Sequence, residues 1–152
     1  MVMAHQASGR GMSIEYTKVD AANRQAFYKT LLTFWDQRWG RDFQQELLEW
    51  RYARRAPEET LVALSRSRCI GLIDTFLRSY RVGGQQVLVR EPCDWYCPPG
   101  NRGVGMRLMK WLISQKEPLL GVGLPKAAIA IAPRLNWKHL LDTHDVTLPI
   151  TA

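Results

Sequence analysis

The sequence predicts an α+β fold, and three observations carry that prediction. Apolar residues recur at helical spacing between positions 21 and 54. The period then changes to three successive β-prone runs between positions 60 and 97, joined by tight turns, which is the pattern of an antiparallel meander. Last comes the stretch 94–113, DWYCPPGNRGVGMRLMKWLI, which leaves a strand, crosses a Pro/Gly turn and enters an amphipathic helix.

Taken in order, residues 13–19 alternate Ile14, Tyr16 and Lys18 against Glu15, Thr17 and Val19, as a first strand does. Asp20 is placed to cap a helix over 21–38, whose Phe27, Leu31, Phe34 and Trp35 share a face, and Gly40 ends it. A second helix over 42–54 puts Phe43, Leu47, Trp50 and Ala53 on one side, and Pro57 stops it. Trp35 and Trp39, four apart, read either as packing anchors or as rings that stack on a substrate. Strands follow at 60–65, 69–82 and 85–97, the first pair joined by the polar turn 66–68 and the second by Gly83-Gly84. Pro92 inside the last run predicts a bulge or a splay there.

Residues 118–122 read as a fifth, parallel strand and residues 126–135 as a helix, expected to be buried because it is rich in Ala and Ile. Pro133 is expected to kink or shorten that helix, and Asn136 suits a left-handed helix terminus. Residues 137–141 are expected to form a sixth strand, and the eleven residues after it leave room for a short last strand or none.

Composition sets bounds on function. With 152 residues, 46% hydrophobic and 23% charged, the chain reads as one globular domain over 13–152 behind a loose tail at 1–12. No apolar run approaches the roughly 20 residues of a membrane span, and the N-terminus lacks the apolar core of a secretory signal, so a cytoplasmic location away from membranes is expected. Cys69, Cys93 and Cys97 make an odd count without a nearby His, which reads as reduced thiols and no metal site. The net charge of +7 invites a nucleic-acid reading. The basic residues are scattered, however, which suits a solvated surface or attraction of a small polyanion, and no nucleic-acid partner is expected.

The Pro/Gly turn is the most informative feature. Pro98, Pro99, Gly100, Gly103 and Gly105 bare backbone N–H groups at the positive end of the following helix, a ready site for phosphate. No Gly-Lys-Ser/Thr follows, so it is not the Walker loop. A strand, then Arg102-Gly103-Val104-Gly105, then a helix with Leu108 in its second turn resembles motif A of the GCN5-related N-acetyltransferases, the GNAT superfamily. Arg102 and Gly105 match fixed positions of that motif; Arg107 stands where the family has Gly or Ala, and either adds a phosphate contact or crowds the turn.

The resemblance implies a mixed, mostly antiparallel sheet with splayed fourth and fifth strands, flanked by helices on both faces, and a C-terminal strand that is short or missing. It implies acetyl-coenzyme A as cosubstrate, held by Trp95, Tyr96 and Cys97 on the strand and by Arg102, Gly103, Val104, Gly105, Met106 and Arg107 in the turn. It implies transfer of acetyl to a primary amine of a small molecule, with a homodimer compatible with a short last strand. The transfer needs a base for the amine and a donor for the leaving thiolate. Asp94 is the first candidate base, with Glu91 beside it, and Asp94 equally reads as a polar cap on a bulge. Asp74, interrupting an apolar strand, reads as a cleft residue or a salt-bridge residue. The helix over 126–135 lacks the tyrosine that many members use as the acid, leaving Tyr96 or water. The rival reading is a non-catalytic acyl-CoA-binding domain.

Overall fold

Among the described residues, four antiparallel strands pair in sequence order: β1 (Glu15–Val19), β2 (Glu59–Ser65), β3 (Arg68–Val82) and β4 (Gln85–Tyr96). The structure, a computed structural model, describes residues 13–39, 44–54, 57–101, 103–115, 117–124 and 126–138. Both hairpins turn on two residues at positive φ. These are Gly83 and Gly84 (56° and 81°) between β3 and β4, and Arg66 and Ser67 (48° and 62°) between β2 and β3. That conformation matches the right-handed twist of the strands it joins. β2 is buried along nearly its whole length because it is central and covered on both faces. Its register with β3 ends at Glu59 opposite Thr75, so β3 and β4 continue beyond it as a two-stranded ribbon and become exposed.

Pairing puts Val19, Thr60, Val62, Leu72 and Asp74 on one face. Helix α1 (Arg24–Trp39) covers that face with Leu31, Phe34 and Trp35, forming the main core with Tyr52 and Cys69. Burying each of these large side chains is worth about 1.5–3 kcal/mol. Asp20 caps the approach to α1: its Oδ1 accepts from the Ala22 N–H, while Asn23 Oδ1 accepts from the Asp20 N–H. The helix therefore begins at Arg24, three residues later than the sequence suggests. The opposite face, with Leu61, Ala63, Gly71 and Ile73, receives α3 (Val104–Ile113) through Val104, Leu108, Met109 and Leu112.

The second predicted helix splits into α2 (Gln44–Glu49) and a π turn (Trp50–Arg54). The wider turn changes the phase of the helix, so Tyr52 is buried and Trp50, expected inside, is 45% exposed. Gly40 and Phe43 lie outside the described residues.

The fifth segment pairs with β4 at one point, a parallel bridge between Leu119 and Arg90. The Arg90 N–H donates to Pro118 O and its carbonyl accepts from the Leu120 N–H, so Arg90 turns its backbone away from β3. Pro92, two residues on, presents the same side and has no N–H to offer. Proline thus removes the donor a longer fifth strand would need, while Pro92 itself stays in register with Thr75 of β3. The bulge is not at Pro92 but two residues later.

The chain divides into two units, Met1–Leu120 and Gly121–Ala152. In the second, α4 (Lys126–Ile131) runs into a 3-10 turn (Ala132–Leu135) that holds Pro133, so the helix is shortened as expected. Asn136 ends it at φ 57°. No α4 residue is buried, contrary to the reading from its Ala and Ile content; six residues are too few to bury a face, and Ile129 is 56% exposed. Trp137 and Lys138 are irregular, and the rest of the expected sixth strand lies outside the described residues.

Candidate active site

The site is built on one extra residue in β4. Asp74 pairs with Cys93 and Leu72 pairs with Tyr96, so Asp94 and Trp95 together oppose Ile73. Asp94 takes up the insertion at φ 46°, a conformation that a short polar side chain tolerates better than most. A step of one residue exchanges the faces of everything after it. Trp95 and Cys97 consequently turn toward α3, and Tyr96 turns toward α1.

On the α3 side, Trp95 Nε1 donates to the Gly105 carbonyl at 3.1 Å. A Cβ on Gly105 would stand 3.0 Å from that nitrogen and 3.3 Å from Cys97 Sγ. A Cβ on Gly71 of β3 would overlap the same sulfur and meet Val104 Cγ1 at 3.0 Å. Gly105 thus sits in a tight space inside the protein, where a side chain would press on Trp95 and Cys97. Gly103, at φ 83° and at the N-cap of α3, has open space around it, as does Gly100 at φ 94°.

The turn itself is short. The Asn101 N–H donates to Pro98 O at 3.3 Å and the Val104 N–H to Asn101 O at 3.3 Å. No acidic residue occupies the first turn of α3, whose opening N–H groups have no intrahelical acceptor and sit at the positive end of the helix. Met106 is half-buried and Arg107 exposed; Arg102 lies outside the described residues.

On the α1 side, Tyr96 stacks on Trp35 with ring centroids 6.3 Å apart, meets Phe34 edge-on at 5.7 Å and carries the Arg38 guanidinium 4.3 Å from its centroid. Trp35 is a core anchor, 2% exposed, and no platform for a ligand.

Beside the bulge lies a polar cluster that the π turn completes. Arg51 Nε and Nη2 reach Asp74 Oδ2 at 3.0 and 2.9 Å, and Nη2 also ion-pairs with Asp94 Oδ2. Tyr52 OH donates to Asp74 Oδ2 at 3.3 Å and accepts from Trp35 Nε1 at 3.0 Å. Thr60 Oγ1 donates to Asp74 Oδ1 at 2.5 Å. Asp74 is fully buried. Burial pushes its carboxyl upward, against the pull of Arg51 and Thr60. Burial works against the Arg51 charge, yet Asp74 and Asp94 hold its pKa above the ordinary value. Cys93, 3.5 Å from Arg51 Nη2, is pushed up to about 12, first by burial and then by Asp74, so it is a thiol at neutral pH.

The structure brings Asp94, Trp95, Cys97, Gly103, Val104 and Gly105 together around the bulge and turn. Glu91 is not brought to Asp94. It accepts from Arg78 Nε at 2.8 Å and from the Tyr80 hydroxyl, out on the exposed ribbon. Arg51, Tyr52 and Thr60 are neighbours of Asp74 that periodicity did not single out. The available signal was Asp74, a carboxylate in an apolar strand that had to find a cation.

No family model matches the sequence, and no curated protein sequence matches it. Solved structures do match. AAC(6')-Iy in complex with the bisubstrate analogue CoA-S-monomethyl-acetylneamine superposes with a TM-score of 0.63 at 15% identity, covering 90% of this chain and 99% of that one. The aminoglycoside 6'-N-acetyltransferase AAC(6')-Ih from Acinetobacter baumannii gives 0.63 at 14% identity, covering 91% and 100%. A ribosomal-protein-alanine N-acetyltransferase from Brucella melitensis biovar Abortus 2308 gives 0.61 at 13%, covering 90% and 100%. At these identities the likeness is one of fold: the chain folds as these N-acetyltransferases do, in the fold of the GCN5-related N-acetyltransferase superfamily.

Proposed function

We propose that this chain is an acetyl-coenzyme A dependent N-acetyltransferase that moves acetyl directly to a primary amine of a small molecule. The observation that carries the reading is the joint between the β4 bulge and the first turn of α3. Within residues 94–104 it sets a carboxylate, a strand edge with no partner strand among the described residues, and a helix N-terminus. The turn suits a pyrophosphate: Gly103 is open, the first turn has no acidic residue, and the exposed Arg107 adds positive charge. In this reading the backbone of Gly103, Val104, Gly105 and Met106, with Arg102 and Arg107, holds the phosphates. Main-chain groups of Trp95, Tyr96 and Cys97 hold the arm of the coenzyme, along an edge that carries no bridge beyond Arg90 among the described residues.

Bound acetyl-coenzyme A supplies the activated acyl group. Asp94, 25% exposed at the bulge, accepts the proton of the incoming amine. Tyr96 is the candidate proton donor to the leaving thiolate, its ring fixed by Trp35, Phe34 and Arg38. The neighbours named for aminoglycosides support a small amine-bearing acceptor.

One observation favours the rival, a domain that binds acyl-coenzyme A without turnover: the Asp94 carboxylate is already paired with Arg51. Thiol release in the presence of a panel of primary amines separates the two. Amine-dependent release above the hydrolysis background supports the enzyme; coenzyme binding with no release from any amine supports the rival.

A further inference from the structure

We propose that Asp74 is a positioning residue, which acts through Arg51 to hold the Asp94 carboxylate at the β4 bulge. This rests on the reading of Asp94 as the base. Two elements converge on Asp74 at the centre of β3: the π turn with Arg51 and Tyr52, and β2 with Thr60. Its two oxygens thereby receive the Arg51 guanidinium and two hydroxyls. Arg51 alone also reaches out of the core, to Asp94 and to Cys93 Sγ.

The geometry argues for position over stability. A charge pair sunk in a core is a weak source of stability, because desolvating the ions offsets their attraction, and apolar residues of similar size often serve as well. This fold nevertheless places a wholly buried carboxylate on its central hairpin and surrounds it with donors. What the arrangement does achieve is a fixed guanidinium. Arg51 has a long side chain with several rotors, and at 23% side-chain exposure one contact to Asp94 would leave it mobile. Two contacts to Asp74 Oδ2 from Nε and Nη2 fix its plane. Asp94 in turn sits on an inserted residue at φ 46°, where the regular ladder gives its side chain no direction. The π turn is the local device: it sets Arg51 and Tyr52, adjacent in sequence, both toward Asp74.

A double-mutant cycle of Asp74→Asn and Asp94→Asn, read as amine-dependent thiol release, tests the proposal. Asp74→Asn is expected to lower kcat by about 10- to 100-fold, as loss of a supporting partner does. KM for acetyl-coenzyme A is expected to stay within about twofold of wild type, since the side-chain partners of Asp74 are Arg51, Tyr52 and Thr60 and include no described residue of the phosphate turn. The double variant should be no slower than Asp94→Asn alone. Should Asp74→Asn fail to fold, Arg51→Gln cuts the same link from its exposed end and should give the same split, with Arg51→Lys recovering part of kcat. Losses that multiply in the double variant, or a raised KM with unchanged kcat, overturn the proposal while leaving the acetyltransferase reading intact. A wild type that releases no thiol with any amine overturns both.

Discussion

The indole Nε1 of Trp95 donates to the carbonyl of Gly105 at 3.1 Å, tying the end of β4 to the first turn of α3. The two residues belong to the two halves of the proposed coenzyme site, so this bond sets the angle between strand edge and helix N-terminus. Trp95→Phe keeps an aromatic ring and loses the donor. A hydrogen bond of this kind is worth about 0.5–1.5 kcal/mol, so coenzyme A binding should weaken by about 3- to 10-fold. Titration of the variant against wild type checks it, with thermal unfolding as the control for a general loss of structure.

The two glycines of the turn should fail in different ways. Gly103→Ala meets no atom but must hold φ 83°, a strain of about 1–2 kcal/mol. Gly105→Val has ordinary helical geometry and drives into Trp95 and Cys97, an overpacking cost of about 1–3 kcal/mol. Urea unfolding should show both losses. Cys97→Ala should return part of the second and none of the first.

Gly71 and Cys97 offer a cleaner pair. The Gly71→Ala methyl would overlap the Cys97 sulfur, so the variant should lose about 1–3 kcal/mol. Combined with Cys97→Ala, which empties that space, the double variant should recover most of the loss. Additive losses in equilibrium unfolding would show that the sulfur is not what Gly71 accommodates.

Burial raises the thiols of Cys69 and Cys93 to about 12 and that of Cys97 to about 11, from an ordinary 9.0. The unfolded chain therefore loses these protons first as pH rises. The stability they contribute is complete below about pH 9.0 and is lost as pH climbs toward 11 and 12. Urea midpoints should fall as pH rises from 8 toward 10.5, and a Cys93→Ala, Cys97→Ala variant should flatten that fall. In native protein near pH 8, labelling by a thiolate-specific reagent should run at least about tenfold slower than in urea.

Strands β1 to β4 and the α3 helix were legible because their apolar periods are clean and the Gly83-Gly84 turn has one common use. The turn at 98–103 was legible through its glycines and prolines. Pro92 predicts a bulge or a splay, and the structure puts the bulge two residues later. The proline sits where its missing N–H faces away from β3, so the ladder passes it undisturbed and breaks at Asp94. Spacing carries no record of which backbone edge faces which neighbour. Arg51 stayed hidden for a similar reason. An α-helical period pointed Trp50 inward, and the π turn that reverses this is a local widening that leaves no period in the sequence.

Calorimetric titration of wild type with coenzyme A, acetyl-coenzyme A and ATP, at two salt concentrations, tests the β4–α3 joint most directly. Saturable binding of both coenzymes at one site, tighter than ATP at either salt, is the predicted result. Binding that ranks ATP with the coenzymes and falls away together with salt would reduce the site to general attraction by a chain of net charge +7. No coenzyme binding at all would contradict the account.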